Sequence, residues 1–309
     1  MKTLILGGTR FVGKPLVNIF LNKGFDLTLF TRGNNQIPDL VKHIKGDRSK
    51  EEDLENLPKN YFDLIVDTSG RKLLDTQMII AQTGIPKFRY IYMSSAGVYK
   101  NSEILPIDEN EDIDPNSRHI GKFETEDWLL TENIPFTSFR PTYIYGPGNY
   151  NPIEKWFFDR LLSNRVIPIP GMGESITQLV HVNDLAQAIN STLSSDISKN
   201  KIYNCSGKKA ISFKGLVELS AKVCGVDQKD VNYKYIDKIY YKSKARKAFP
   251  LRLENFFTTS LLLENDTGWT PSISLEDGIN DSYKNDYLTN KNNNPDFTLD
   301  QLLIDSINN

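Results

Sequence analysis

The stretch Met1 to Gly13 constrains this chain more than any other. Lys2-Thr3-Leu4-Ile5-Leu6 is a short apolar run that Gly7-Gly8 stops at once. Beyond the turn, Phe11, Val12, Leu16, Ile19 and Phe20 recur at helical spacing as far as Gly24. A buried strand, a glycine turn and an amphipathic helix open a βαβ unit of the dinucleotide-binding kind. Such a turn needs residues without a Cβ, because a pyrophosphate has to approach bare backbone at the start of a helix. Gly7, Thr9, Arg10, Phe11 and Val12 are the candidates to hold one. A glycine turn is equally at home as a plain structural corner, so the rest of the chain has to decide.

The pattern repeats. Asp26 to Phe30 reads as a second strand, His43 to Lys45 as a third, Phe62 to Asp67 as a fourth and Phe88 to Ser94 as a fifth. Helical patterns run from Glu51 to Leu57 and from Leu73 to Gln82, and another helix is expected to begin near Ser117. Phe136 to Arg140 is a sixth strand and Lys201 to Cys205 a later one. Alternating strands and helices on short connections predict an α/β fold, a doubly wound parallel sheet with helices on both faces. Asn183 is the expected N-cap of a helix through Leu193, and Ser212 of a helix ending at Gly225. The remainder reads as a smaller C-terminal α+β lobe. Residues 1–150 plus 176–206 are assigned to the dinucleotide-binding domain, 151–175 plus 207–289 to the lobe, and 290–309 to a tail. Within that tail, Asp296 to Ile304 fits either a short docking helix or a frayed end.

Several function classes drop out on composition. A net charge of −2 advertises neither nucleic acid nor an anionic membrane globally, so any such contact has to be a local patch. Apolar runs fall short of the ~20 residues a membrane span requires. Cys205 and Cys224 lack metal-ligand spacing and fit a reduced protein, and Met1 leads directly into the first strand, so a cytoplasmic protein without a leader is expected. The histidines, His43, His119 and His181, are far apart in sequence. Asp47, Asp67, Asp108 and Glu109 could gather round a divalent ion, although carboxylates at strand ends are common in such folds.

Read in order, the motifs resemble the extended short-chain dehydrogenase/reductase family. Gly7-Gly8-Thr9-Arg10-Phe11-Val12-Gly13 resembles its Gly-x-x-Gly-x-x-Gly turn, with Arg10 at the middle glycine. Ser94-Ser95-Ala96-Gly97-Val98-Tyr99, Pro106-Ile107-Asp108-Glu109 and Arg140-Pro141-Thr142-Tyr143-Ile144-Tyr145-Gly146-Pro147 match later motifs. The resemblance implies that Ser95 orients a substrate, that Asp47 lies near an adenine amino group, and that Lys122 holds a cofactor ribose. It also implies a Tyr-x-x-x-Lys pair, but Arg118 occupies the tyrosine position. A guanidinium stays protonated and cannot relay the proton of a carbonyl reduction. On a helix His119 is rotated by ~100° from Arg118 and would face elsewhere. Arg32, at the end of the second strand, suits the 2′-phosphate of NADP, and Arg10 leans the same way.

Within that family the chain resembles one branch, the chloroplast stem-loop-binding proteins and their cyanobacterial relatives. The resemblance rests on the glycine turn, Leu29-Phe30-Thr31-Arg32-Gly33, Ser117-Arg118-His119-Ile120-Gly121-Lys122, Tyr150-Asn151-Pro152-Ile153-Glu154-Lys155-Trp156-Phe157-Phe158, Lys247-Ala248-Phe249-Pro250 and Asp296-Phe297-Thr298. It implies RNA binding, endoribonuclease activity with a divalent cation as an option, ribosome or transcription partners, and a cytoplasmic or plastid-stromal setting. NADP binding stays open as a working or vestigial feature, as does a homo-oligomer. The residues themselves supply one supporting patch. Lys234, Lys238, Lys242, Lys244, Arg246, Lys247 and Arg252 face a single acid, Asp237, with Tyr233, Tyr235, Tyr240, Tyr241 and Phe249 interleaved. Cations for phosphates and aromatic faces for unpaired bases suit a single-stranded loop. The competing reading is an NADP-dependent nucleotide-sugar epimerase or reductase, whose lobe would use the same cations for a nucleotide diphosphate.

Overall fold

In the computed structural model, which describes residues 1–243, 248–289 and 294–305, the strands run in chain order. They are β1 (Lys2–Leu6), β2 (Asp26–Thr31), β3 (Lys42–Lys45), β4 (Leu64–Asp67), β5 (Arg89–Met93), β6 (Phe136–Pro141) and β7 (Tyr143–Tyr145). After them come β8 (Ile167–Pro170), β9 (Ile176–His181), β10 (Lys201–Cys205), β11 (Ala210–Ser212) and β12 (Tyr233–Ile236). The helices are α1 (Gly13–Asn22), α2 (Glu51–Leu54), α3 (Leu73–Thr83), α4 (Ile120–Thr131), α5 (Ile153–Leu162) and α6 (Val182–Thr192). They continue with α7 (Phe213–Cys224), α8 (Lys238–Ser243), α9 (Leu261–Thr267), α10 (Leu275–Ser282) and α11 (Thr298–Asp305).

The chain divides into two compact units, the first built from 1–142, 182–206 and 258–271. Its sheet has the order β10-β6-β5-β4-β1-β2-β3, and every neighbouring pair is parallel. Leu4, Ile5 and Leu6, and all of β4 and β5, are buried, as expected of strands covered on both faces. The strand order reverses between β1 and β4, which is where a doubly wound sheet opens a crevice at its carboxyl ends. The glycine turn sits there. Gly7 and Gly8 have φ of +111° and +96°, and a Cβ on Gly13 would lie 2.3 Å from the Gly8 Cα. Strand, turn and helix therefore close on one another only with glycine at both places.

The second unit comprises 143–181, 207–257 and 272–309. It holds a three-stranded sheet, β11-β9-β7, and the parallel pair β8-β12. Phe157, Phe158, Ile169, Phe213, Val217 and Phe249 form its core. Ser212 caps α7 by accepting the Gly215 amide, and Gly225 ends that helix in the left-handed region. Two sequence expectations are corrected here, and one left open is decided. Residues 143–150 and 176–181 belong to the second unit and 258–271 to the first, because β7 pairs with β9 rather than extending the large sheet. Asn183 does not cap α6, which starts at Val182 directly after β9. The tail also contains a docked helix: Asp300 and Leu303 of α11 are buried, and the Arg160 guanidinium meets the Asp300 carboxylate at 2.7 Å.

Candidate functional site

The glycine turn presents backbone rather than side chains. Thr9, Phe11 and Val12 are buried, with Phe11 itself in the left-handed region at φ +44°, while the Arg10 side chain is exposed. No side chain caps the first amides of α1. A turn that a Cβ would fill, ahead of an uncapped helix start, fits the pyrophosphate of a dinucleotide. At the end of β2, Thr31 shares a 2.9 Å hydrogen bond with the His43 ring, and Arg32 beside it is exposed. Asp47 accepts the Ser49 amide at 3.0 Å and hydroxyl at 2.8 Å. Those bonds, with Arg32's charge behind them, hold its carboxyl below the ordinary range. Arg32 and Asp47 thus stand near one another, as cofactor candidates at the same end of the sheet.

Next to them lies an ion pair that the motifs did not foretell. Arg48 grips Asp67 at the end of β4 with two hydrogen bonds, of 2.6 and 2.9 Å. Asp67 also accepts the Tyr90 hydroxyl at 2.9 Å and the amides of Ser69 and Gly70. Burial alone would push the Asp67 carboxyl up, but Arg48's charge and hydrogen bonds outweigh it and hold the group at about 2. So committed, Asp67 is not available to a metal. Among the described residues no group of three or more His, Cys, Asp or Glu could hold one.

The region where a dehydrogenase would do its chemistry is assembled from β5 and α4. After β5, Ser95 Oγ accepts the Gly97 amide at 3.0 Å and so turns the loop Ala96–Val98. Tyr99 donates to Asn204 at 2.8 Å and accepts from Arg140 at 3.0 Å. Arg140 is clamped on Glu126 of α4 at 2.7 Å, and Ser138 donates to the same carboxylate at 2.7 Å. Glu126 thus makes its close contacts to Arg140 and Ser138 and reaches Lys122 through its charge alone. Lys122 Nζ donates to the carbonyls of Gly70, at 2.9 Å, and Met93. Desolvation holds its ammonium down to about 8.

Arg118 and His119 depart from the sequence expectation. Helix α4 begins at Ile120, so both residues lie in the turn before it rather than on a helical face. Ser117 makes that turn by donating to Gly97 O at 2.7 Å while accepting the His119 amide at 3.0 Å. His119 does not face elsewhere: its Nε2 accepts the Arg118 Nε–H at 3.0 Å. Its ring lies against Gly97, where a Cβ would meet His119 Cδ2 at 2.6 Å and Ser95 Oγ at 3.0 Å. Ser95, Arg118, His119 and Lys122 thus fall in one neighbourhood. A histidine beside an arginine was visible in the sequence, but only the late helix start brings them together.

The basic aromatic stretch lies in the second unit. Lys234 is half-buried on β12, and Lys238 is tied to Glu174 at 3.0 Å and to Ser175 at 2.7 Å. Tyr240 is 40% exposed, but Tyr241 is 1% and Phe249 3% exposed. Those last two rings pack in the core and cannot stack on a base, which corrects the choice of Tyr241 as an RNA contact. The side chain of Lys242, together with Lys244, Arg246 and Lys247, lies outside the described residues.

Fold and site together define a short-chain dehydrogenase scaffold with arginine in place of its proton-relay tyrosine. Residues 74–206 match the NAD dependent epimerase/dehydratase family. Solved structures agree on the fold: a UDP-glucose 4-epimerase superposes with a TM-score of 0.79 at 16% identity, covering 96% of this chain and all (100%) of that one. The Thermus thermophilus UDP-glucose 4-epimerase in complex with NAD gives 0.74 at 17% identity, covering 92% and 98%. The sequence is far nearer to chloroplast stem-loop binding protein of 41 kDa b from Arabidopsis thaliana, at 40% identity over 98% of this chain and 84% of the relative. The chain belongs to the family of that protein, an atypical branch of the short-chain dehydrogenases/reductases. Among the described residues no helix is long and apolar enough to cross a membrane.

Proposed function

We propose that this chain binds stem-loop RNA on a dehydrogenase scaffold that does not carry out hydride chemistry. The observation that carries the proposal is its near-full-length identity to a stem-loop binding protein. The arginine at position 118 supports it, since no titratable phenol stands there. Gly7, Thr9, Arg10, Phe11, Val12, Arg32 and Asp47 would hold NADP, which when bound supplies a hydride donor or acceptor. Lys122 is already committed to two backbone carbonyls, and Ser95 to a backbone amide, so both act here as scaffold. The relative's name places it in the chloroplast, which favours a plastid setting for this chain over plain cytoplasm. Endoribonuclease activity belongs to the same proposal through the family resemblance.

A gel shift with a stem-loop and with an unpaired RNA of equal length, each with and without NADP, tests the reading. The stem-loop should shift at lower protein concentration; no shift with either RNA would remove the proposal. Time courses with and without Mg²⁺ report whether the RNA is also cut. Incubation with NADPH and nucleotide sugars should give no turnover. Turnover that Lys122→Ala abolishes would restore the epimerase reading.

A further inference from the structure

Glu154 lies in the first turn of α5, yet it is only 2% exposed. One carboxyl oxygen, Oε1, accepts the Gly146 amide at 3.1 Å and the Ser282 hydroxyl at 2.7 Å. The other, Oε2, is shut off from solvent and has no hydrogen-bond partner among the described residues. Changing the protonation state does not remove that deficit. An ionised Oε2 needs a donor or a cation, and a protonated one needs an acceptor. Burial pushes this carboxyl up, and the charge of Asp286 pushes it the same way. The helix start and the hydrogen bonds to Oε1 favour the ionised form.

Glu154 lines a cleft of about 50 Å³ within the second unit, where roughly 10–15 Å³ takes one water-sized body. Asn149, Ser282, Asp286 and Tyr287 line it too, so oxygen atoms surround it. The loop after β7 fixes two of them. Gly148 donates its amide to Asp286 at 2.8 Å, and Asn149 Oδ1 accepts the Asn151 amide at 3.0 Å while keeping a second lone pair. Asp286 and Tyr287 belong to a π-helical turn, Tyr283–Tyr287, that prolongs α10, an irregularity frequent at functional sites. Lys155 also lines the cleft, but its ammonium donates to both Asp159 oxygens at 2.7 Å. A cation therefore suits Oε2 better than a neutral guest, because Asp286 adds charge of the same sign. The two carboxylates here are few for a divalent metal, and among the described residues no group of three Asp, Glu, His or Cys could hold one. Mg²⁺ also sheds water reluctantly, as it would have to in order to touch an oxygen closed to solvent.

We propose that this cleft is a site for a monovalent cation of potassium's size, held by Glu154 Oε2 with oxygens of Asp286 and Asn149. The ion ties the loop after β7 to α5 and to the end of α10. The site stands or falls independently of the RNA reading.

Thermal unfolding of the full chain in potassium chloride, against choline chloride at equal ionic strength, tests it. Potassium at about ten times its dissociation constant should raise the folding equilibrium constant about tenfold, and so raise the midpoint. Glu154→Gln keeps an acceptor for Gly146 and Ser282 but turns N–H donors toward the ion, so the potassium increment should vanish. Asp286→Asn keeps an acceptor for the Gly148 amide, and its increment should shrink. Thallium(I), a spectroscopic stand-in for potassium, gives a direct readout in the wild type: its resonance should shift on binding and return as potassium competes. That arm and Asp286→Asn decide the matter if Glu154→Gln does not fold. Equal midpoints in potassium and choline, with no thallium shift, would overturn the site and leave Oε2 to water. An increment undiminished in both variants would place the ion elsewhere, and a larger increment from magnesium than from potassium would overturn the monovalent assignment.

Discussion

At the scale of single residues, the best-defined electrostatic device is Arg48 on Asp67. The Asp67 side chain is fully buried, and that of Arg48 is 14% exposed. Asp67's carboxyl is lower in the fold than its ordinary 3.8, at about 2. Its contribution to stability is therefore fully present above pH 3.8 and is lost as pH falls through about 2. Arg48→Met should reverse the sign. Without the guanidinium, burial raises the carboxyl, and the folded state then loses stability as pH rises above the ordinary value. Removing one partner of a buried pair costs about 3–5 kcal/mol. Urea unfolding should show that loss at neutral pH and a smaller one near pH 4, where the carboxyl can take up a proton. An equal loss at both pH values would show that packing of the arginine stem, not its charge, is what matters. Arg48 was not singled out from the sequence because it lies in the loop between β3 and α2, and only the fold brings that loop to Asp67 at the end of β4. The glycine turn was legible because glycine at φ near +100° leaves a direct mark on sequence.

Among the elements, legibility followed range. Whereas β3, at the sheet edge, has no buried residue, the central parallel strands of the first unit announced themselves as buried apolar runs. Pairings in the second unit did not, because β8 and β12 are four-residue strands drawn together from Ile167 and Tyr233. Nor did Tyr143–Tyr145, which continues almost directly from β6 yet joins another sheet. The start of α4 was misplaced because Ser117 has the chemistry of a helix cap but uses it on a turn. At the C-terminus, sequence left two alternatives for 296–304, and the packing of α11 selects the docking helix. Arg160 lies 3.7 Å from the Trp156 ring centroid, and its guanidinium meets Asp300 with both side chains at most 6% exposed. Leu303→Ala should therefore cost about 2–5 kcal/mol, as for a core leucine, and Asp300→Asn should leave a buried guanidinium short of its counter-charge. Hydrogen exchange at α5 and α11 would register either change. Unaltered protection in both variants would mean that α11 contributes nothing to the second unit.

For the whole molecule, the decisive quantity is how little net charge it carries. At −2 over 309 residues, long-range attraction for RNA is absent, so affinity has to come from local cations. With Lys238 held by Glu174, the stretch Tyr233 to Arg252 retains Lys234, Lys242, Lys244, Arg246, Lys247 and Arg252 as the candidates for phosphate contact. If about four phosphates of a single-stranded loop are neutralised, the log–log salt slope should be about −2.8. Affinity would then fall roughly fiftyfold between about 50 and 200 mM salt. Replacing Lys242, Lys244 and Lys247 by Ala should flatten the slope by about two units, whatever the RNA sequence. Exposed Tyr240 belongs to a different test. Its replacement by Ala should weaken loops more than duplexes, by about 1–3 kcal/mol if a base stacks on it, and leave the slope unchanged. Tyr241→Ala is the wrong probe, since that ring is core and its loss would cost stability in place of a contact. A nucleotide-sugar lobe predicts neither the slope nor the preference for loops. Unchanged affinity and slope in the triple lysine variant would place the RNA surface elsewhere on the chain.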